Sequence, residues 1–378
     1  MTARRAAPLV TSPPPLRRND YSLSEQESSV SGLFGDFFRQ ECPSERVRAA
    51  EPVGFDRALW DRLAEVGAMA MGVPEEHGGD GASAVELVLV AEQAGRYLAP
   101  VPLVEVWCAA RLLACTRGGT LLKQQLAAVA AGEYRIAAAL GGWTPGERQL
   151  VPAGAVVQAV AGVLGDDLIL LESPNARPHV PNLASTPLAW WSPTDEQVGS
   201  RRLDCQDAQP RALAHDATLE WKLLTAAALT GLAAGALELG VEYARLRKAF
   251  GSPIGSYQAV SHALVDVAIA AEGARRLTRK AAWFWQHERA GAPSLVVRAF
   301  RYAAQAANQA ATVGVHVQGG FGVSLEADAQ LFFRRAKGWS AIAGRADDDL
   351  RYLADLELDG GAEIGQEGTG DGLQPHPG

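Results

Sequence analysis

The sequence predicts a mostly α fold, in which an N-terminal helical domain, a small β domain and a C-terminal four-helix bundle follow one another. Three observations predict this order. Apolar residues recur at three- to four-residue spacing up to about residue 145, as in amphipathic helices. Short β-branched and aliphatic runs broken by Gly and Pro come next. Long Ala- and Leu-rich helical patterns then return and continue to about residue 356.

The predicted domain boundaries follow these changes in composition. We expect a disordered arm over 1–22, because its arginines surround a proline run and it contains no apolar core. The helical domain then covers 23–145, the β domain 146–215 and the bundle 216–358. The segment 359–378 is rich in Gly, Pro and acidic residues, so a disordered tail is predicted there.

Aromatic and aliphatic spacing defines the helices of the N-terminal domain. Phe34, Phe37 and Phe38 share one helical face, and Leu59 and Leu63 follow at a spacing of four residues. This pattern predicts helices whose apolar stripes meet in a common core.

The β domain is predicted from the runs VVQAVAGVL, DDLILLE and LAWW. About sixty-five residues separate the two helical blocks, enough for six or seven strands of about 5–6 residues with their turns. We therefore expect fewer than eight strands between residues 148 and 210.

Four helical patterns make up the predicted bundle. They cover Thr218 to Phe250, Tyr257 to Arg289, Leu295 to Val317, and a last pair from Glu326 to Leu356 that is interrupted near Gly344. The run from 223 to 239 is apolar around most of its circumference, and a helix without a polar face must be covered. We expect the bundle to carry oligomer contacts for this reason.

Bulk properties exclude several classes of function. A net charge of −8 and a pI near 5.5 argue against nucleic acid as a partner. The four cysteines have neither CxxC spacing nor a companion His cluster, so no metal site and a reduced, cytoplasmic protein are predicted. The longest apolar runs lie between charged flanks and contain Thr and Gly, which favours buried helices over a membrane span.

The stretch YARLRKAFGSPIGSYQ, residues 243–258, predicts a corner between two long helices. Gly251, Pro253 and Gly255 interrupt the helical pattern there. The corner brings together a cation, an aromatic ring and an amide from Arg247, Phe250 and Gln258. These groups suit a ligand with an anionic part and a flat ring, such as a dinucleotide.

Three stretches together resemble the acyl-CoA dehydrogenase family. They are the spacing R-x-x-FG-x-PIG-x-x-Q at the corner, QGGFGVSLEADAQLFFRRAK over 318–337, and FDRALWDRLAEVGAMAMGVPEEHGGDG over 55–81. The resemblance extends from about residue 55 to about residue 356 and weakens in the middle. It implies a fold of the acyl-CoA dehydrogenase type with a truncated β domain.

The resemblance also implies an activity and a cofactor. Members of the family oxidise the Cα–Cβ bond of an acyl-CoA thioester with FAD, which requires a positioned base and a held flavin ring. Matching positions imply contacts to the pyrophosphate and adenosine end of a neighbouring subunit's FAD for Arg247, Phe250, Gln258, His316, Gly319 and Gly320. His316 departs from the family pattern, which has Gln there.

The flavin-ring side of the family's site has no recognisable counterpart between residues 142 and 210. Trp190 and Trp191 are the flavin-sized aromatic candidates there, and a role in the β core is favoured for both.

The catalytic base is not identified from the sequence. At the family's C-terminal base position, this chain has a stretch in which Arg345 follows Gly344. The family's other base position, about twenty-six residues before the corner arginine, falls on Trp221. Glu220 is adjacent but points about 100° away on a helix. A first-turn helix acid is the favoured role for Glu326.

These matches lead to one main hypothesis and leave two alternatives open. The main hypothesis is a subunit of a heteromeric acyl-CoA dehydrogenase that completes the FAD site of an acyl-CoA dehydrogenase-like partner in a heterotetramer. The alternatives are a self-sufficient homotetramer with a divergent base, and a non-catalytic scaffold that has lost FAD. Colour on purification separates them: a yellow chain alone, a yellow complex only with a partner, or neither.

Overall fold

The computed structural model describes residues 21–205, 208–342 and 344–366, and for 359–366 it describes the backbone only. Residues 1–20 of the predicted arm and 367–378 of the predicted tail lie outside the described residues. The last helix continues eight residues beyond the predicted end of the bundle, to Gln366.

The N-terminal part is helical, as the sequence predicts. Its helices are α1 (Glu25–Glu41), α2 (Ser44–Ala49), α3 (Arg57–Glu65), α4 (Ala68–Met71), α5 (Ala84–Arg96), α6 (Leu103–Ala114) and α7 (Gly119–Ala130). Ser24 and Ser83 each form a capping box with the glutamate three residues on, which fixes the starts of α1 and α5. Phe34, Phe38, Leu59 and Leu63 are buried in one core.

The middle segment forms two small sheets from six strands, β1 (Ile136–Ala138), β2 (Gln149–Val151), β3 (Ala159–Leu164), β4 (Asp167–Glu172), β5 (Ala189–Trp191) and β6 (Gly199–Leu203). The larger sheet has the order β1-β3-β4-β6, and β1 pairs in parallel with β3. The strands β2 and β5 form a separate antiparallel pair. Between residues 148 and 210 the described chain has five strands, below the predicted limit of eight. The sheet begins at Ile136, within the segment that the sequence assigns to the helical domain.

The C-terminal part consists of long packed helices, α8 (Pro210–Leu246), α9 (Gln258–His287) and α10 (Ala292–Gln318), followed by α11 (Ala329–Trp339) and α12 (Ala346–Gln366). The helix α8 packs against α5, α6, α9 and α10, so its apolar circumference is covered within the chain. Residues 223–239 are therefore buried without a second subunit. Their apolar character is not evidence for the oligomer contacts that we expected from it.

The helix α8 is also the one described helix that is long and apolar enough to cross a membrane by length and composition. Most of its apolar window is buried inside the protein. Glycines let its neighbour approach closely: a Cβ at Gly95 would lie 1.9 Å from the backbone oxygen of Ala228, and one at Gly231 would lie 1.8 Å from that of Glu92. The helices α5 and α8 therefore pack backbone to backbone at the centre of the molecule.

Candidate functional site

The corner between α8 and α9 is a β-hairpin rather than a helix end. The helix α8 ends at Leu246, and the short strands β7 (Lys248–Ala249) and β8 (Ser252–Pro253) pair antiparallel. Phe250 and Gly251 form the turn, with φ of +50° and +84°. The prediction that Phe250 lies on the helix was therefore wrong, because the chain leaves helical geometry at Arg247.

The stretch 318–337, which also resembles the family, begins at the same end of the bundle. Ala244, Leu264 and Val317 form one buried cluster, which joins the end of α8, the start of α9 and the end of α10. His316 lies on the last turn of α10, and Gly319 and Gly320 begin the 3-10 turn that follows. The structure thus brings the six predicted residues to one end of the bundle.

These six residues are all exposed, and they are Arg247, Phe250, Gln258, His316, Gly319 and Gly320. The exposure of Phe250 is 99%. Within the described residues, the guanidinium of Arg247 has no hydrogen bond or ion pair, while its backbone amide donates to the Tyr243 oxygen at 2.8 Å. The Phe250 ring meets the Tyr257 ring edge to face, with the ring centres 6.5 Å apart, and its remaining surface is open. The Arg247 guanidinium and most of the Phe250 ring are therefore available to a ligand or to another subunit.

The two glycines differ in what the chain itself requires of them. Gly319 has φ of +62°, where a side chain is strained, so its identity follows from the backbone. Gly320 has no positive φ, and a Cβ placed there would meet no atom within 4 Å. Nothing inside the described chain therefore requires glycine at 320.

The structure also places the two acidic candidates from the sequence. Glu326 is exposed and precedes α11, whose N-cap is Asp328, so the prediction of a first-turn acid was wrong. Glu220 is 6% exposed, and its Oε1 forms an ion pair with Arg111 Nε at 2.8 Å. Burial raises the pKa of the Glu220 carboxyl, although Arg111 and Arg289 oppose that shift.

The carboxyl of Glu220 faces a cavity of about 250 Å³ between α6, α8 and α9, lined by Arg111, Cys115 and Trp285 among others. Trp221, the next residue on α8, lines a different cleft, as the angle between successive helical positions requires. Glu220 is therefore separated from the position where the family places a base on this helix.

The cleft beside Trp221 lies between the three parts of the chain. Its walls come from α5 and the loop after it, from the start of α6, from α8, from residues 185–187 of the β4–β5 loop, and from the end of α11. Trp339 and Ile342 line it, so the stretch that precedes Gly344 borders the same cleft as Trp221. One of the family's base positions, at Trp221, and the residues that lead to the other, Trp339 and Ile342, thus line a single cleft.

One carboxylic acid lines this cleft among the described residues, and it is Glu105. Trp221 Nε1 donates to Glu105 Oε1 at 3.4 Å. Burial raises the pKa of the Glu105 carboxyl, and the described chain provides it with no ion pair. The β4–β5 loop adds Thr186, which is 8% exposed and whose Oγ1 has no hydrogen-bond partner within the described residues. The cleft, about 90 Å³ in volume, has room for several water-sized groups.

Sequence reasoning missed Glu105 for a physical reason. It is the third residue of α6, after Pro102, where an acid ordinarily interacts with the helix dipole and faces solvent. Its approach to Trp221 depends on the packing of α6 against α8, which no local pattern encodes. The signal available was an acid directly inside an otherwise apolar run, between Val104 and Val106.

The two tryptophans proposed for the β core behave differently. Trp191 is fully buried and donates from Nε1 to the Gly154 oxygen at 3.0 Å. Trp190 points outward, with the Arg148 guanidinium 4.5 Å from its ring centre. Neither lines the cleft beside Trp221. In the part of the chain that is described, no group of three or more His, Cys, Asp or Glu could hold a metal ion.

Comparison with known proteins agrees with this architecture. The model of the acyl-CoA dehydrogenase N-terminal domain matches residues 24–133, and that of the C-terminal domain matches residues 214–354. The acyl-CoA dehydrogenase FadE27 of Mycobacterium tuberculosis is 30% identical over 368 residues, covering 88% of this chain and 97% of its own.

Two solved structures share the fold over most of the chain. The Tcur3481-Tcur3483 steroid ACAD has a TM-score of 0.78 at 26% identity, covering 90% of this chain and 100% of its own. The ChsE4-ChsE5 complex from Mycobacterium tuberculosis has a TM-score of 0.77 at 26% identity, covering 90% and 99%. The family models leave the β segment unmatched, which is where the resemblance in sequence weakens. Together with the order of helices, sheet and bundle, these matches show that the chain belongs to the acyl-CoA dehydrogenase family.

Proposed function

We propose that this chain is a subunit of a heteromeric, FAD-dependent acyl-CoA dehydrogenase of the cytoplasm, and that its bundle corner completes the FAD site of a partner subunit. FAD is the cofactor of the family, and α,β-dehydrogenation of an acyl-CoA thioester is its reaction. The partner subunit and the roles of the corner residues are the parts that we propose.

The observation that carries the proposal is the exposure of six residues at one end of the bundle, where the Arg247 guanidinium has no partner within the described residues and the Phe250 ring is 99% exposed. Phe250 is 99% exposed in a backbone conformation with positive φ, which costs an ordinary residue about 1–2 kcal/mol. An aromatic ring held outward at such a cost is accounted for if it contacts something outside the chain.

The chemistry of these residues fits the adenosine and pyrophosphate end of FAD. The Arg247 guanidinium would pair with the pyrophosphate, and Phe250 would pack against the adenine. Gly319 and Gly320 would allow backbone N–H groups to approach phosphate or sugar oxygens, since no Cβ intervenes at either residue. Gln258 and His316 add exposed hydrogen-bonding groups on α9 and α10. When bound, FAD supplies an acceptor for the β hydrogen of the substrate and its bonding electrons.

Two comparisons support a partner and a substrate class. One neighbour of this fold is a complex of two chains, ChsE4 and ChsE5, and the other is described as a steroid ACAD. We infer an acyl-CoA thioester as substrate, with a steroid-type acyl group as the first class to assay.

Co-expression tests the assembly. The chain is purified alone and together with acyl-CoA dehydrogenase-like chains from the same organism, and the flavin absorbance of each preparation is recorded. Flavin that appears only in a co-purified complex supports the proposal. A yellow chain on its own would identify a self-sufficient homotetramer, and colourless preparations throughout would identify a scaffold without FAD.

A single substitution tests the corner within that complex. Arg247→Ala removes a charge-assisted contact worth about 1.5–3 kcal/mol, so FAD affinity should fall by roughly ten- to a hundredfold. The fold should be retained, because no protein group loses a partner. Arg245→Ala is the matched control, since Arg245 is an exposed arginine in the last turn of the same helix. Equal FAD affinities for the two variants would contradict the proposal.

A further inference from the structure

The loop between α10 and α11 carries the glycine pair of the proposed FAD site, and an arginine of the N-terminal domain holds its far end. Arg48, in the last turn of α2, donates from Nη1 to the Leu325 oxygen at 2.5 Å and from Nη2 to the Glu326 oxygen at 2.9 Å. Its Nη2 also forms an ion pair with Asp328 Oδ1 at 2.6 Å. One guanidinium thus binds three acceptors directly before α11.

A second side chain of α2 contributes to the same contact. Ser44 Oγ donates to Asp328 Oδ2 at 2.6 Å, so α2 binds both carboxylate oxygens of the residue that precedes α11. Hydrogen bonds to ionised groups are shorter and stronger than those between neutral groups. The helix α2 is itself held in the N-terminal core by Val47, which is 2% exposed. The end of the loop is therefore fixed to a packed element of another domain.

The rest of the loop has few anchors. Gly322 packs closely on α10, where a Cβ would lie 2.5 Å from the Val315 oxygen, and Ala327 is buried. The other apolar side chains of the loop are more than half exposed, and they are Phe321, Val323 and Leu325. Exposed side chains bury little apolar area and contribute little to holding a loop. The position of the loop therefore depends on the end of α10 on one side and on α2 on the other.

From these contacts we infer that Arg48 is a positioning residue for the cofactor site of the complex, and that it acts through the loop 319–328. It holds the loop in the conformation in which the backbone of Gly319 and Gly320 is open to the adenosine and pyrophosphate end of a partner's FAD. The inference rests on the proposed function and deepens it, because it makes the N-terminal domain of this chain a determinant of FAD affinity.

The physical reason is preorganisation of the loop. A loop that samples several conformations binds a ligand only in the competent fraction of its population, and the apparent dissociation constant rises as that fraction falls. The adjacent residues Gly319 and Gly320 increase this freedom, since glycine has more backbone conformations to lose than any other residue. Without the contacts of Arg48, the loop is fixed mainly at α10, and its competent fraction should fall.

Replacing Arg48 tests the inference, and Arg46 on the same helix provides the matched control. The side chain of Arg46 is 23% exposed, against 28% for Arg48. Arg46 pairs with Glu41 and Asp56, which both belong to the N-terminal domain. Arg48→Met and Arg46→Met each remove a guanidinium and its ion pairs from α2, but only the first removes contacts to the loop.

Hydrogen–deuterium exchange of the chain alone measures the loop without any cofactor. Arg48→Met should speed amide exchange over residues 320–328 about tenfold, whereas Arg46→Met should leave these amides as in wild type. In the co-purified complex, FAD affinity should fall about tenfold for Arg48→Met and stay within about twofold of wild type for Arg46→Met. A general loss of stability would act in both variants, so the difference between them isolates the loop.

Arg48→Lys gives a second measurement, which decides the matter even if Arg48→Met does not fold. A lysine retains the charge opposite Asp328 but lacks the planar fork that also reaches two carbonyl oxygens. Its unfolding temperature should stay near that of wild type. Its loop exchange and its FAD affinity should each change about threefold in the direction of Arg48→Met, because a hydrogen bond to the loop is lost.

Unchanged loop exchange, or unchanged FAD affinity, in the Arg48 variants would overturn the inference. Equal losses of FAD affinity for Arg48→Met and Arg46→Met would overturn it as well, because Arg48 would then act through stability alone. Arg247→Ala separates these failures from a failure of the proposed function. If Arg247→Ala lowers FAD affinity and the Arg48 variants do not, the corner binds FAD without Arg48. If none of them lowers it, both proposals are wrong.

Discussion

Arg335 donates from Nη2 to Glu51 Oε1 at 2.7 Å and is only 2% exposed, so a buried cation of α11 depends on one carboxylate from the N-terminal domain. Arg334 donates to the other oxygen of Glu51 at 2.5 Å. Burial alone would raise the pKa of Glu51, but the charge and hydrogen bond of Arg335 outweigh it and hold the pKa below its ordinary value. This network connects the N-terminal domain to α11 at the edge of the cleft beside Trp221, which Arg335 also lines.

Removing the carboxylate should therefore be costly. Glu51→Gln leaves Arg335 buried without its counter-charge, and we expect a loss of about 3–5 kcal/mol in the free energy of unfolding. Urea titration followed by circular dichroism measures this loss. Glu65→Gln, at an exposed glutamate of α3, should change stability by less than about 0.5 kcal/mol. A loss below 1 kcal/mol for Glu51→Gln would contradict the account of this network.

Asp56 provides a prediction about pH. It accepts from Arg46 Nε at 2.6 Å and caps α3 by accepting from the Leu59 amide at 2.9 Å. The hydrogen bond from Arg46 is the main reason that the Asp56 pKa lies below its ordinary value of 3.8. A lowered carboxyl pKa stabilises the folded state fully above the ordinary value, and this contribution is lost as pH falls through the folded-state pKa.

The variant Asp56→Asn separates the charge from the cap, because Asn is also a good N-cap. We expect Asp56→Asn to be about 1.5–3 kcal/mol less stable at pH 7, where hydrogen bonds to charged groups count fully. The difference from wild type should shrink below about pH 4 and disappear at lower pH. Urea titrations at a series of pH values measure it, and a difference that is independent of pH would contradict the assigned ion pair.

The sequence predicts the helices and the family well, because these depend on local periodicity and on a few spaced motifs. The start of α9 at Gln258 and the end of α10 at Gln318 lie within a residue of the patterns at Tyr257 and Val317. The predicted end of α8, at Phe250, lies four residues beyond the observed end at Leu246. A phenylalanine gives no sequence signal for the positive φ that it adopts in the hairpin turn. Glu105 escaped detection because its environment arises from residues far apart in the chain, as its contact with Trp221 shows.

The turn at Phe250 should show opposite effects on stability and on cofactor binding. Asn-Gly is the preferred pair for a two-residue hairpin turn with both φ values positive. Phe250→Asn should therefore stabilise the chain by about 1 kcal/mol. It should also weaken FAD binding by the complex about tenfold, since ring stacking on a base contributes about 1–3 kcal/mol. Denaturant titration and FAD titration measure the two effects, and unchanged FAD affinity would exclude Phe250 from the site.

The oligomer contacts that we expect of the bundle have a specific location on α9. Val265 and Ile269 lie one helical turn apart and are 54% and 65% exposed, while α8 is covered within the chain. Ile269→Glu would place a charge in such a contact, and we expect sedimentation velocity at micromolar concentration to show dissociation. Leu33→Glu is the control, because Leu33 is a similarly exposed leucine on α1. Dissociation by both variants, or by neither, would contradict an interface on α9.

The substitution Gly320→Ala should affect cofactor binding and stability in opposite directions. Gly320 has no positive φ, and a methyl group there would meet no atom of the chain within 4 Å. It also lies in a helical turn, where Ala is preferred over Gly, so Gly320→Ala should stabilise the chain by about 0.5–1 kcal/mol. If a phosphate or sugar of the partner's FAD lies against this backbone, the same methyl group must displace it, and FAD affinity of the complex should fall at least tenfold.

The contrasting variant is Gly319→Ala, which should lower stability because φ at 319 is +62°. Thermal unfolding of the chain and FAD titration of the complex measure both effects. A Gly320→Ala complex that binds FAD as tightly as wild type would mean that the glycine pair does not contact the cofactor.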